Sequence, residues 1–174
     1  LKGMAVLSWG SLHPMIVHLP IGFIFLGMVI EILSFRNFHS SYRTVSQLLL
    51  LLLHLALFLS IVFGSLLLMG GDYGDSLIDQ HIKGAIISML SSTVLMVLHH
   101  YAINTSSIKT IRYYRLVFAI TLTSIIFTGH FGGMLTHGED YLDGITGTGK
   151  KVQASNIDLI TVGNTAGDLS PQQQ

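Results

Sequence analysis

The chain has 174 residues, of which 50% are hydrophobic and only 10% are charged, whereas about a quarter of the residues of an ordinary soluble domain are charged. Its 9 basic and 9 acidic residues give a formal net charge of zero, so it lacks the basic surface that binds the phosphates of a nucleic acid. The absence of cysteine excludes disulfides, iron–sulfur clusters, thiolate metal sites and the covalent attachment of a c-type haem. The 9 histidines are therefore the main source of metal-binding side chains.

Four apolar runs follow one another along the chain, at about residues 14–35, 45–70, 81–101 and 112–134. A helix of about 20 apolar residues crosses the hydrocarbon of a membrane, and backbone in lipid must form its own hydrogen bonds, which favours helices. The short connections predict an all-α membrane protein, an up-and-down bundle of four transmembrane helices within residues 1–142. Residues 143–174 are rich in Gly, Thr and Gln and predict a polar linker or tail.

The charges of the connections predict the orientation of the bundle. The middle connection, residues 70–80, contains three aspartates and no Lys or Arg. The first and third connections contain basic residues and no acidic ones: Arg36, Arg43, Lys109, Arg112 and Arg115. Because positively charged connections stay on the cytoplasmic side, we expect both termini and the 70–80 loop to lie outside. This arrangement predicts a multi-pass membrane protein, in the inner (cytoplasmic) membrane with its outer end in the periplasm if the organism is a Gram-negative bacterium.

Five of the histidines fall at the predicted outer end, on three different spans: His13, His18, His81, His130 and His137. Polar side chains within a membrane bundle are costly and usually functional, imidazole binds iron, zinc, copper and nickel, and bundles build cofactor sites from facing helices. A b-type haem needs two imidazoles at one depth, and His18, His81 and His130 each lie about one turn inside a span. His13 and His137 lie further out, where they would form a second site or contact the haem propionates.

Two other interpretations of these histidines remain open. Histidine is common at membrane interfaces, so each ring would simply bind water, headgroups or loop carbonyls. A zinc or copper site is the second alternative, with oxygen ligands from the neighbouring loops: Asp72, Asp75, Glu139 or Asp140. The glycines beside His130 (Gly129, Gly132 and Gly133) fit either a flat macrocycle close to the backbone or close helix packing.

Two further ionisable residues lie inside the spans. Glu31 in the first span and His54 in the second are expected within about one turn of each other in depth. They would either begin a proton path from the cytoplasmic side or form a structural pair, and the structural interpretation is favoured. His99 and His100 fall at the cytoplasmic end of the third span and are interpreted as interface residues.

The opening of the first span, His13-Pro-Met-Ile-Val-His18-Leu-Pro20-Ile-Gly22, resembles the HPxxVHxPIG signature of an uncharacterised bacterial family of four-helix predicted membrane proteins. Glu31 matches an acidic residue late in that span, and His81 matches a histidine that opens the third. The stretch from Gly129 to Leu142, GHFGGMLTHGEDYL, resembles the variant of that family associated with planctomycete-type cytochrome c modules. The resemblance covers about residues 12–142.

This resemblance implies membrane redox work beside c-type cytochromes, with haem b in the bundle. His18 with His81 is the favoured axial pair, because motif and depth both select them, and His130 is the next candidate. We expect an electron-transfer subunit of a larger membrane complex, rather than a stand-alone enzyme, that exchanges electrons between the quinone pool and a periplasmic c-type cytochrome. The cytochrome would be a further domain or a separate protein, since residues 1–174 contain no c-haem motif.

Two alternative functions stay open beside this one. The bundle would be a structural membrane anchor of a larger complex, with its histidines at interfaces. Otherwise it would be a non-haem metal-binding or transport protein, with a path lined by Glu31 and His54 and by the polar face of the fourth span: Thr121, Ser124 and Thr128.

Overall fold

A computed structural model describes residues 9–36, 42–70, 75–105, 107–138 and 141–142 of the chain. The chain divides into two compact units, Leu1–Tyr141 and Leu142–Gln174. All the described helices belong to the first unit. The polar tail predicted at residues 143–174 lies outside the described residues.

The described part of the first unit contains four helices that are each long and apolar enough to cross a membrane: His13–Leu33, Tyr42–Leu68, Ser76–Thr105 and Ile108–His137. We call them the first to fourth spans; the helix of the third begins one residue earlier, at Asp75. The described residues contain no strand, and the predicted all-α, four-helix membrane fold is confirmed. The third and fourth helices extend beyond the apolar runs. The polar residues at the membrane interfaces also form helical backbone hydrogen bonds, so the helix does not end where the apolar run ends.

The first span is made of two helical segments, His13–Ile16 and His18–Leu33. Pro14 occupies the first turn of the short segment, where its missing N–H leaves no bond unmade. Pro20 cannot donate to the carbonyl of Ile16, four residues earlier. The helix is interrupted at Val17, immediately after that carbonyl.

Each span packs against the next one along the chain. The first span also contacts the fourth, which closes the bundle. The contact between the third and fourth spans is the most extensive. The interior is a cluster to which all four spans contribute: Ile24, Leu50, Leu53, Leu57, Leu95, Ala102, Tyr114, Phe118 and Ile125. Close packing between the third and fourth spans depends on Gly84, since a Cβ there would overlap the Thr128 hydroxyl.

The outside of the bundle is covered by large apolar side chains, among them Phe25, Leu48, Leu90 and Phe127. Soluble monomers rarely expose a continuous apolar surface of this kind. Lipid is the solvent that suits such a surface, so the chain is a multi-pass membrane protein. We call the end with His13 and His81 the outer end, following the charges of the connections, and the end with Glu31 and Arg43 the inner end.

Candidate cofactor site at the outer end

Two histidines meet at the outer end, His13 from the first span and His81 from the third. Their ring centroids are 6.1 Å apart and their planes are perpendicular, at 90°. Both side chains are half-buried. The structure therefore brings together two of the five outer histidines that the sequence singles out.

Each of these rings is held by a backbone carbonyl of another span. Nδ1 of His13 donates to the carbonyl of Ser60 at 3.0 Å, in the second span, and Nδ1 of His81 donates to the carbonyl of Thr128 at 2.9 Å, in the fourth. A carbonyl can only accept, so both rings carry their proton on Nδ1 when neutral. Nε2 then keeps a lone pair, which is the arrangement that metal-binding histidines usually show.

Glycines provide the space for both rings. A Cβ on Gly64 would lie 2.9 Å from Cε1 of His13, and a Cβ on Gly132 would lie 3.1 Å from Cε1 of His81. Real Cβ atoms essentially never come as close as the first of these distances. Together with the two carbonyls, these glycines mean that all four spans position the pair.

His18, the expected partner of His81, lies on an exposed face of the first span. Its Nδ1 donates to the carbonyl of Pro14 at 2.7 Å, one turn earlier in the same span. His13 and His18 are separated by about 140° around a helix of 3.6 residues per turn. Only one of them can face the interior, and that one is His13.

His130 and His137 gather around Tyr141 instead of around His81. Nδ1 of His130 lies 3.0 Å from the Tyr141 hydroxyl, and the rings of His130 and His137 lie 5.8 Å and 6.1 Å from the tyrosine ring. Gly133 admits this tyrosine, because a Cβ there would lie 2.7 Å from its hydroxyl. His137 is exposed, and its Nδ1 is 2.7 Å from the Thr136 hydroxyl.

Within the described residues, no group of three or more His, Cys, Asp or Glu side chains could hold a metal ion. The acidic ligands considered for a zinc or copper site are not among them: Asp72, Glu139, Asp140 and the side chain of Asp75 lie outside what the structure describes. Among the described donors at the outer end, His13 and His81 are the pair from different spans whose rings lie against each other.

At the inner end, Glu31 binds two arginines. Its Oε2 lies 3.0 Å from Nη1 of Arg43 at the start of the second span, and its Oε1 lies 3.0 Å from Nε of Arg115 in the fourth. Arg115 also donates to the carbonyl of Phe35 at 2.8 Å. These contacts join three spans through one carboxylate. A charged group that is removed from water needs such oppositely charged, hydrogen-bonded partners.

His54 binds to Ser92 and not to Glu31, the pairing considered from the sequence. Nδ1 of His54 lies 2.9 Å from Oγ of Ser92, and that hydroxyl donates to the carbonyl of Met89 at 2.8 Å. The serine oxygen therefore accepts from His54, whose proton is on Nδ1. His54 and Glu31 belong to separate polar groups in the described part of the bundle.

The interpretation of His99 as an interface residue is wrong. Its side chain is only 2% exposed, and its ring packs on Tyr114 with centroids 5.3 Å apart. Its Nε2 is buried and has no hydrogen-bond partner within the described residues. His99 follows Ser92 by seven residues, or about two turns, so the spacing could have placed it on the inward face of the third span.

Comparison with known proteins gives a family. A family model described as "Predicted membrane protein (DUF2231)" matches residues 10–140. No curated protein and no solved structure matches the chain. The matched range contains all four spans and both histidines of the pair.

Proposed function

For this chain, which belongs to the predicted membrane protein family DUF2231, we propose a role as an electron-transfer subunit that binds a b-type haem at its outer end. The observation that supports it best is the His13–His81 pair, with its 6.1 Å separation. The electrons would pass between the quinone pool and a periplasmic c-type cytochrome. The membrane would be a bacterial inner membrane, and the chain one subunit of a larger complex.

The pair suits a haem iron in ligand number and spacing. Two imidazoles that shared one iron would have to lie close together, because an imidazole nitrogen binds a transition metal at about 2 Å. The observed separation is 6.1 Å. A protein zinc site needs three or four side-chain ligands, whereas a b-type haem takes two. The described residues supply two.

The surrounding residues fix the tautomer and the position of the two imidazoles. The carbonyls of Ser60 and Thr128 fix the tautomer that leaves Nε2 free on each ring, and such supporting bonds also raise the basicity of a ligating imidazole. Gly64 and Gly132 leave room for the rings. A bound haem would supply an iron that gains or loses one electron at a time.

This assignment differs from the pair favoured by the sequence in one ligand. His81 is common to both, whereas His13 takes the place of His18, because His18 is exposed and bonded within its own span. His130 and His137, bonded to Tyr141 and Thr136, lie at the same end and offer a contact surface for a periplasmic partner.

The test is a reduced-minus-oxidised absorption spectrum of the full chain purified from membranes, with an iron assay. We expect bis-imidazole haem bands and about one iron per chain. His13→Ala and His81→Ala should each remove the bands, and His18→Ala should keep them. His100→Ala is the matched control, because His100 is exposed at the inner end and binds Asn104.

Three outcomes would contradict the proposal. Bands that survive both His13→Ala and His81→Ala would exclude the pair as the ligands. Zinc or copper without porphyrin would favour the metal-binding alternative. A folded chain with neither porphyrin nor metal would favour a structural anchor.

A further inference from the structure

A row of polar residues follows the inward face of the third span. His81, Ser88, Ser92 and His99 are spaced by seven, four and seven residues, which places them on one side of a helix. Ser88 and Ser92 are each only 1% exposed. Buried polar side chains are costly inside a membrane bundle, so three of them and a half-buried histidine on one face need an explanation beyond packing.

The outer part of this row is linked to the neighbouring spans by hydrogen bonds. The hydroxyls of Ser88 and Ser124 are 2.8 Å apart, and Ser124 also donates to the carbonyl of Gly84 at 3.3 Å. Thr128, one turn further out in the fourth span, accepts from His81. Hydrogen bonds thus connect His81 to Ser88 through Thr128 and Ser124. Ser92 lies one turn further inward on the same face, at a depth of about 16 Å from His81 at 1.5 Å per residue.

His54 lies at the inner end of this linked part. Its ring is half-buried and bonds to Ser92. Because Nδ1 carries the proton of that bond, Nε2 is the nitrogen that can accept another. His54 is therefore a proton acceptor deep in the second span, beside the last serine of the row.

A second observation concerns a buried hydroxyl of the second span beside the outer histidine pair. Oγ of Ser60 is buried and has no hydrogen-bond partner within the described residues, although its carbonyl binds His13. A buried hydroxyl without a partner is destabilising, because it has lost its hydrogen bonds to water. Buried water usually satisfies such groups and itself needs polar partners, which the hydroxyls and imidazoles of this region provide.

On the inner side the row is interrupted by an apolar layer. Leu95 follows Ser92 on the same face and has no exposed surface. Leu50, Leu53 and Phe118 belong to the same buried cluster. His99 lies on the far side of Leu95, so no described polar side chain of the third span connects it to Ser92.

The ionisable groups of the interior are separated in the same way. Glu31, Arg43, Arg115 and His99 lie at the inner end, on all four spans, and His13 with His81 lies at the outer end. His54 lies between them in depth. Its described polar bond is to Ser92, which lies one turn inward of Ser88 on the same face of the third span.

From these contacts we propose that His54 is a proton-binding site in the membrane interior that exchanges protons with the outer side and is closed to the inner side. A proton entering from the outer solution through the hydrated row binds Nε2 and forms an imidazolium, while Nδ1–H keeps its bond to Ser92. The direction is opposite to the cytoplasmic path considered from the sequence. The proposal does not depend on haem.

The absence of cysteine from the chain permits a direct test with single-cysteine variants of the full chain in vesicles of known orientation. The probe is a cationic, membrane-impermeant methanethiosulfonate, which reacts with thiolates in contact with water. Ser88→Cys, Ser92→Cys and His54→Cys should be labelled from the outer side at least about tenfold faster than from the inner side. Leu95→Cys, in the apolar layer, and Leu55→Cys, on the lipid-facing side, should resist labelling from both sides.

Ionisation of the native residue gives the second measurement. In proteoliposomes, the ¹⁵N signals of His54 should respond to a change of outer pH and not to the same change of inner pH. Any of three results would overturn the proposal. They are faster labelling from the inner side, failure of both Ser88→Cys and Ser92→Cys to be labelled, and a response of His54 to inner pH. His54→Gln should leave the haem bands intact, so this proposal and the haem proposal fail separately.

Discussion

Gly64 of the second span lies directly against the His13 ring of the first, so closely that a Cβ on the glycine would be 2.9 Å from Cε1 and 3.1 Å from Nδ1 of the imidazole. The ring cannot retreat without loosening its bond to the Ser60 carbonyl, one turn earlier in the second span. The glycine therefore determines where the imidazole lies, although it offers no ligand atom itself.

This contact predicts the effect of Gly64→Ala. The added methyl group should displace the His13 ring and lower haem affinity about tenfold, the usual scale for losing support around a ligand. Haem titration of the purified chain measures it. Gly22→Ala is the control, because a Cβ there meets nothing within 4 Å. Equal affinities for the two variants would show that the His13 position does not matter for binding.

A second prediction concerns the closest approach of the third and fourth spans. Gly84→Ala should lower the free energy of unfolding by about 1–3 kcal/mol, the range for inserting a methyl group into a packed contact, because the new Cβ would overlap Thr128. Unfolding in mixed detergent micelles provides the measurement. Gly129→Ala should be nearly neutral, since its Cβ would be 3.9 Å from Ile21. Similar losses in both variants would contradict the prediction.

The ion pairs of Glu31 predict a large loss on Glu31→Gln. Removing one partner of a buried pair costs about 3–5 kcal/mol, because the other charge stays buried, and Arg43 has a side chain only 6% exposed. Asp79→Asn is the matched control. Its pair with Lys83 is 55% and 61% exposed, and exposed pairs within a helix contribute about 0.3–0.5 kcal/mol. A loss for Glu31→Gln no larger than for the control would rule out a structural role for the buried pair.

The bond between Ser88 and Ser124 predicts a coupling between their substitutions. In a double-mutant cycle with alanine, the coupling energy should be near 0.6 kcal/mol, the average for hydrogen bonds between helices in a membrane. Thr93 gives the control cycle with Ser124, because its hydroxyl is exposed and bonds to Met89 of its own helix. A coupling indistinguishable from this control would mean that the two serines do not bond in the membrane.

The fold was predictable because the signals for it are local. Each span is a predominantly apolar run, and hydrocarbon admits helices where it does not admit open strands. The ends of the spans were less predictable. The third helix runs from Asp75 to Thr105 and the fourth from Ile108 to His137, because polar residues continue a helix that hydropathy alone would end.

The histidine pair was only half predictable. Depth along the chain selected His18, His81 and His130, but depth does not say which way a side chain points. The angle between His13 and His18 around the helix shows that they cannot both face inward, yet the choice between them depends on how the first span packs on the second. His99 was missed because its position near the end of the third span suggested an interface, whereas its spacing from Ser92 matched the buried face.

The double ion pair of Glu31 has a consequence for how the chain is made. The carboxylate belongs to the first span, whereas its partners Arg43 and Arg115 come 12 and 84 residues later. Synthesis from the N-terminus therefore delivers the acid to the membrane before either base, and the first arginine arrives with the next helix. The first hairpin can neutralise its buried charge early, while the last helix supplies the second arginine and locks the finished bundle.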